Sequence, residues 1–226
     1  MKRASDLFDD EERQRINAAV KAAEAKTSGE VVPVVSTESG RYDRAEDVAG
    51  FVIALLGLAA AWFAFQGVAV PAGRWDEGPH VALGLLWVVL ILAVGFIAGT
   101  AVAARTAWLK RLFVSRAEMS AEVDEAARAA FAALRVHRTE GGTGILLFAS
   151  LFERMVVVLG DAGIAEKLGQ EAWDQVRDTL VAGLRAGQPA GGFVDAIRLC
   201  GEHLAAHFPV ETGDVNELSD ELRIVD

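Results

Sequence analysis

Two runs without a single charged side chain, 48–65 and 81–104, stand out along the chain, separated by a polar link at 66–80. As helices rising about 1.5 Å per residue they would measure about 27 Å and about 36 Å, enough to cross a hydrocarbon core of about 30 Å. The pattern predicts a transmembrane hairpin. Outside it the apolar positions are periodic. Asp9 followed by Glu12 marks a helix start, and Ile16, Ala19, Val20 and Ala23 continue with helical spacing. The β-branched run 30–36 predicts a strand. Because Pro33 lacks a backbone donor, that strand is expected at a sheet edge or at a bulge.

Beyond the hairpin, Ser115 and Glu118 have capping-box spacing, and Val123, Ala126, Ala127, Ala130, Phe131 and Leu134 line one face of a helix to about Val136. Residues 145–150 and 155–159, joined by a short connection, predict an antiparallel pair of buried strands. Helical spacing then returns at 164–184 and 191–208. One helix and one strand cannot bury both faces of the N-terminal piece, so it needs partners from beyond the hairpin. The prediction is one α/β domain made of 1–47 and 105–210, interrupted after its first strand by the hairpin at 48–104. A C-terminal tail, 211–226, with six acids against Arg223, is expected to be mobile.

Charge fixes the expected setting. The 226-residue chain carries a net charge of −10, and no basic stripe is present outside the membrane edge, which argues against nucleic acid. The start lacks the apolar region of a cleavable signal, and one cysteine, Cys200, cannot form an internal disulfide. Arg41 and Arg44 precede the first span, and Arg105, Lys110, Arg111 and Arg116 follow the second. The link holds only Arg74, beside Asp76 and Glu77. The bias predicts a multi-pass protein of the bacterial inner membrane with both termini cytoplasmic. Leu109, Leu112 and Phe113, interleaved with Lys110 and Arg111, predict that the second span bends onto the inner lipid surface or continues past it.

Candidate chemistry is sparse. Asp161 leaves a strand end in a Gly-flanked loop, where it could ligate a hard cation, Ca2+ or Mg2+, with Glu140 and Glu166 as further acids; Glu153 is also near in sequence. The competing reading is that Asp161 begins a turn and caps the next helix. His137 and Arg138 could form a phosphate pocket, His as acid or nucleophile and Arg as clamp, against a reading as a surface turn. His203 and His207 have the i, i+4 spacing of zinc ligands, but Leu204 stands where a zincin has Glu. No serine has a nucleophile-elbow context, and neither span holds an ionisable residue to mark a transport pathway. Gly95 and Gly99 form a GxxxG pattern suited either to packing on the first span through Gly57 and Ala59 to Ala61, or to self-association.

The soluble segments resemble the TPM domain family. The resemblance is carried by Ser28-Gly29-Glu30-Val31-Val32-Pro33-Val34-Val35, Thr143-Gly144-Ile145-Leu146-Leu147-Phe148, Glu153-Arg154-Met155-Val156-Val157-Val158 and Gly160-Asp161-Ala162-Gly163-Ile164. Trp173, Gly192, Ala196-Ile197 and His207-Phe208-Pro209 are similar to the membrane-hairpin branch of that family. It implies a three-layer αβα domain and, from roles proposed for relatives, assembly or repair of membrane complexes, receptor-channel modulation, metal binding or weak acid phosphatase activity. The expected function is a non-enzymatic docking, assembly or maintenance module, partnered by the lipid bilayer and a membrane protein. The alternatives are a metal-dependent acid-phosphatase-like enzyme and a structural membrane homo-oligomer.

Overall fold

A computed structural model describes residues 3–65, 83–165, 167–210 and 216–226. The chain divides into two compact units, one of residues 41–116 and one of residues 3–40 with 117–226. Residues 41–47 and 105–116, predicted with the soluble domain, therefore pack with the hairpin.

The larger unit begins with α1 (Asp10–Glu24). Its capping box is complete: Asp9 Oδ1 accepts the Glu12 N–H at 2.7 Å and Glu12 Oε2 accepts the Asp9 N–H at 3.1 Å. β1 (Glu30–Ser36) follows, then, past the hairpin, α5 (Arg116–Ala133), β2 (Gly144–Ser150) and β3 (Met155–Gly160). The predicted helix 164–184 is broken into α6 (Ala162–Ala165) and α7 (Gln170–Arg185), with Gly169 extended at the start of α7. α8 (Pro189–His207) and β4 (Arg223–Val225) complete it.

The sheet order is β3-β2-β1-β4, with β1 parallel to both neighbours and β2 antiparallel to β3. Alternation along the strands makes two faces. Val31, Val35, Ile145, Leu147 and Ala149 join the core under α1, α7 and α8, which contribute Ile16, Leu180, Phe193 and Leu204. Val32, Val34, Leu146 and Phe148 meet Val123 and Ala127 of α5 on the other side. The fold is a three-layer αβα domain whose sheet draws strands from both sides of the inserted hairpin.

Two expectations fail here. β1 is an interior strand, not an edge. Thr37 donates to Val225 O at 2.8 Å, so backbone N–H groups at odd positions of β1 point toward β4. β4 pairs only with residues 34–36, so the donor Pro33 lacks has no strand opposite it. The C-terminal segment is also docked rather than mobile over its described residues. Leu222 is buried and donates its N–H to Asn17 Oδ1 at 3.0 Å, and Glu217 donates its N–H to Glu30 Oε1 at 3.0 Å.

The other unit contains α2 (Asp43–Phe65), α3 (Leu85–Arg105) and α4 (Ala107–Leu112). The apolar windows of α2 and α3 are only 17% and 6% buried, which separates them from core helices of a soluble protein. Phe51, Leu56, Phe63, Leu85 and Ile97 all point outward. The chain bends at Thr106 (φ −117°, ψ 91°) into α4, where Trp108 and Leu112 are exposed. Lys110 is buried instead, with Nζ 3.1 Å from Glu46 Oε1 and 5.9 Å from the Tyr42 ring centroid. The link at 66–80, with Arg74, Asp76, Glu77 and His80, lies outside the described residues.

Candidate functional site

The turns at the start of β2 and the end of β3 meet. Asp161 donates its N–H to Gly144 O at 2.9 Å, and the Thr143 N–H is held by Thr139 Oγ1 at 2.8 Å. Gly163 packs onto the opposite turn so closely that a Cβ there would lie 2.8 Å from Gly142 O and 3.0 Å from Gly141 O, which leaves glycine the only residue that fits without displacement. Asp161 Oδ1 accepts the Ala162 N–H at 2.7 Å, and Asp161 O accepts from Ile164 and Ala165. Asp161 thus starts α6, as the turn reading expected.

A hard cation takes six to eight oxygens. This corner offers the Asp161 carboxylate and two glycine carbonyls, and the described residues hold no group of three or more His, Cys, Asp or Glu side chains placed as a metal site. Glu140 is exposed and its N–H is held by the Glu217 carboxylate at 3.0 and 3.2 Å. Glu166 lies outside the described residues. Glu153 is buried at the other end of β2, where it accepts from Ser39 N at 2.9 Å and from the Ser150 hydroxyl. The described residues do not by themselves fit a resident Ca2+ or Mg2+, and no chemical step is routed through one.

His137 and Arg138 part company. Both sit in a 3-10 turn (Val136–Arg138) launched by Arg135, whose φ of 58° is left-handed. The His137 ring lies 6.2 Å from that of Phe131. Arg138 instead lines a cavity of about 360 Å3 together with Arg135, Arg223, Glu217 and Ser219, over Leu134. Arg135 and Arg223 were not singled out in the sequence. The available signal was that Arg223 is the one base in an acidic segment.

A second charged cluster lies where α1, β1 and the C-terminal segment meet. Glu24 Oε1 accepts the Val31 N–H at 3.0 Å, while Glu24 Oε2 and Glu30 Oε2 are buried with no hydrogen-bond partner among the described residues. Burial, with Glu30 and Asp220 nearby, pushes the Glu24 carboxyl up to about 8. Burial also raises Glu30, against the N–H groups of Glu217 and Leu218, which lower it. Cys200 is buried and its thiol is pushed up to about 12, so it is not a ready nucleophile. His203 has a buried Nε2 with no hydrogen-bond partner, and His203 and His207 belong to no metal-ligand group among the described residues.

In the hairpin, a Cβ at Gly95 would lie 2.9 Å from Ala54 Cα, and one at Gly99 would lie 2.9 Å from Gly50 Cα and 3.0 Å from Ile53 Cβ. The GxxxG face packs on the first span, but through Gly50, Ile53 and Ala54. A Cβ on Gly57, the expected partner, would meet no described atom within 4 Å.

Residues 109–202 match a family model described as TPM domain. Among solved structures, the NMR structure of the BA42 protein from the psychrophilic bacterium Bizionia argentinensis aligns with 99% of this chain and 99% of that chain. The identity is 18% and the TM-score 0.57, a likeness of fold. No curated protein matches the chain.

Proposed function

This chain carries a TPM domain, and on that premise we propose that it is a bilayer-anchored module that docks without catalysis on a membrane protein complex during its assembly or maintenance. The observation that carries the reading is the insertion, between β1 and α5 of a single αβα domain, of two outward-apolar helices whose stretches 48–65 and 85–104 hold no charge. Both chain connections of the domain then run into lipid, which restricts its partners to molecules at the membrane. The basic flanks favour the cytoplasmic side of a bacterial inner membrane. A photo-crosslinker placed at exposed Leu56 or Phe63 in the native membrane should capture the same integral membrane protein repeatedly. Adducts with lipid alone at both positions count against docking.

A second reading, a metal-dependent phosphatase, is favoured only by the meeting of the two turns, where a Cβ on Gly142 would lie 3.7 Å from Asp161 Oδ2. It requires phosphate release from a generic ester that is abolished by chelation, by Asp161→Ala and by His137→Ala. Hydrolysis that survives all three treatments rejects it.

A further inference from the structure

In a chain with net charge −10, three solvent-exposed arginines line one cavity that holds a single acid, Glu217. Arg135 and Arg138 come from the turn that ends α5; Arg223 comes from β4, at the far end of the sequence. None of the three makes an ion pair among the described residues, although acids outnumber bases in the chain 32 to 22. Three guanidinium groups around an open space of about 360 Å3 make a locally positive field that attracts an anion, moderated by solvent and by Glu217. Glu217 is the one acid in the lining, so the formal charge of the wall is three minus one, or +2.

We infer that this cavity is a binding site for a small phosphate-bearing dianion. Arginine suits that ligand because its planar fork donates two parallel hydrogen bonds to neighbouring phosphate oxygens. Ser219 adds a neutral donor: its Oγ accepts the Glu221 N–H at 3.4 Å, so its own hydroxyl hydrogen can turn to the ligand. The Glu217 carboxylate is held by the Glu140 N–H. The site binds and does not hydrolyse, since no His, Cys or Asp lines it and Ser219 has no adjacent base there. Its geometry also gives binding a structural consequence. Arg135 and Arg138 belong to the domain body, whereas Arg223, Ser219 and Glu217 belong to the C-terminal segment. A bound dianion therefore clamps that segment, and β4 with it, onto the domain.

Calorimetric titration of the full chain in nanodiscs, with inorganic phosphate in one arm and O-phosphoserine in the other, tests the site at constant ionic strength. Saturable binding is expected for at least one of them, weakened tenfold or more by Arg138→Gln and by Arg223→Gln. Arg128→Gln, on the exposed face of α5, should leave it unchanged. Preference for phosphoserine identifies a phosphorylated side chain as the natural source, and preference for phosphate identifies the free ion. The bound ligand should also slow carboxypeptidase digestion of the C-terminal segment in wild type but not in Arg138→Gln, a variant that leaves β4 intact. Saturable binding of neither probe, equal weakening by Arg128→Gln, or digestion indifferent to the ligand overturns the proposal.

Discussion

Gly99 lies against Gly50 so closely that a Cβ on Gly99 would stand 2.9 Å from the Gly50 Cα. Small residues are what allow helix backbones to approach in lipid, where apolar side chains gain nothing by leaving the tails. Gly99→Leu should therefore pry the two spans apart. The expected outcome is lower yield and faster proteolysis in detergent, with no change in crosslinked oligomer state. Gly57→Leu, at an open position, is expected to be silent in the same assay. A dimer lost in Gly99→Leu would restore the self-association reading of this face.

The Lys110 ammonium is buried against Glu46 at 3.1 Å. Removing one member of a buried pair strands the other charge, at about 3–5 kcal/mol, whereas replacing both by apolar groups is often neutral. Lys110→Ala should destabilise the hairpin strongly in thermal unfolding. Lys110→Met combined with Glu46→Leu should recover most of that loss.

Much of the soluble fold is legible because β1, β2 and β3 are each a β-branched or apolar run bounded by glycine or a polar turn. The misreadings have physical causes. An edge or bulge for Pro33 presumes that an interior strand pairs along its whole length on both sides, but β4 is three residues long and starts one residue later. β4 itself is hidden among acids, although Leu222 and Ile224 pack on one core and Leu218, ahead of the strand, on the other. Gly99 meets Gly50 and not Gly57, because spacing along one helix does not give its register against another. The arginine cavity could not be read locally, since Arg223 meets Arg135 and Arg138 only through the parallel pairing of β4 with β1.

Glu24 makes stability depend on pH. Its carboxyl is raised from an ordinary value near 4.5 to about 8. Between those values the native state keeps a proton the unfolded chain has lost, so stability falls as pH rises through the window and the full penalty stands above pH 8. Glu24→Gln should flatten this slope and raise stability at pH 8 by on the order of 2 kcal/mol, with allowance for solvent screening at a partly exposed site. Denaturant midpoints at pH 5, 6.5 and 8 provide the check. An unchanged slope in Glu24→Gln removes the assignment.

The docking of the C-terminal segment should be measurable too. Leu222 is buried among core residues that include α1 side chains, and Asp226 Oδ1 accepts from Thr37 Oγ1 at 2.6 Å and from Ser5 N at 3.3 Å. Leu222→Ala is expected to cost about 2–4 kcal/mol of unfolding free energy, in the range of buried leucine truncations. It should also open the segment to carboxypeptidase. A loss below about 0.5 kcal/mol would mean that the segment is not docked in solution.

The membrane anchor is the central claim, and cysteine accessibility in intact cells tests it most directly. Native Cys200 is buried and gives little background. With Asp76→Cys in the link, a membrane-impermeant maleimide should label the protein from outside the inner membrane. With Asp124→Cys, on exposed α5, labelling should appear only after that membrane is permeabilised. Labelling of both positions, or of Asp124→Cys alone, in cells with an intact inner membrane contradicts the account.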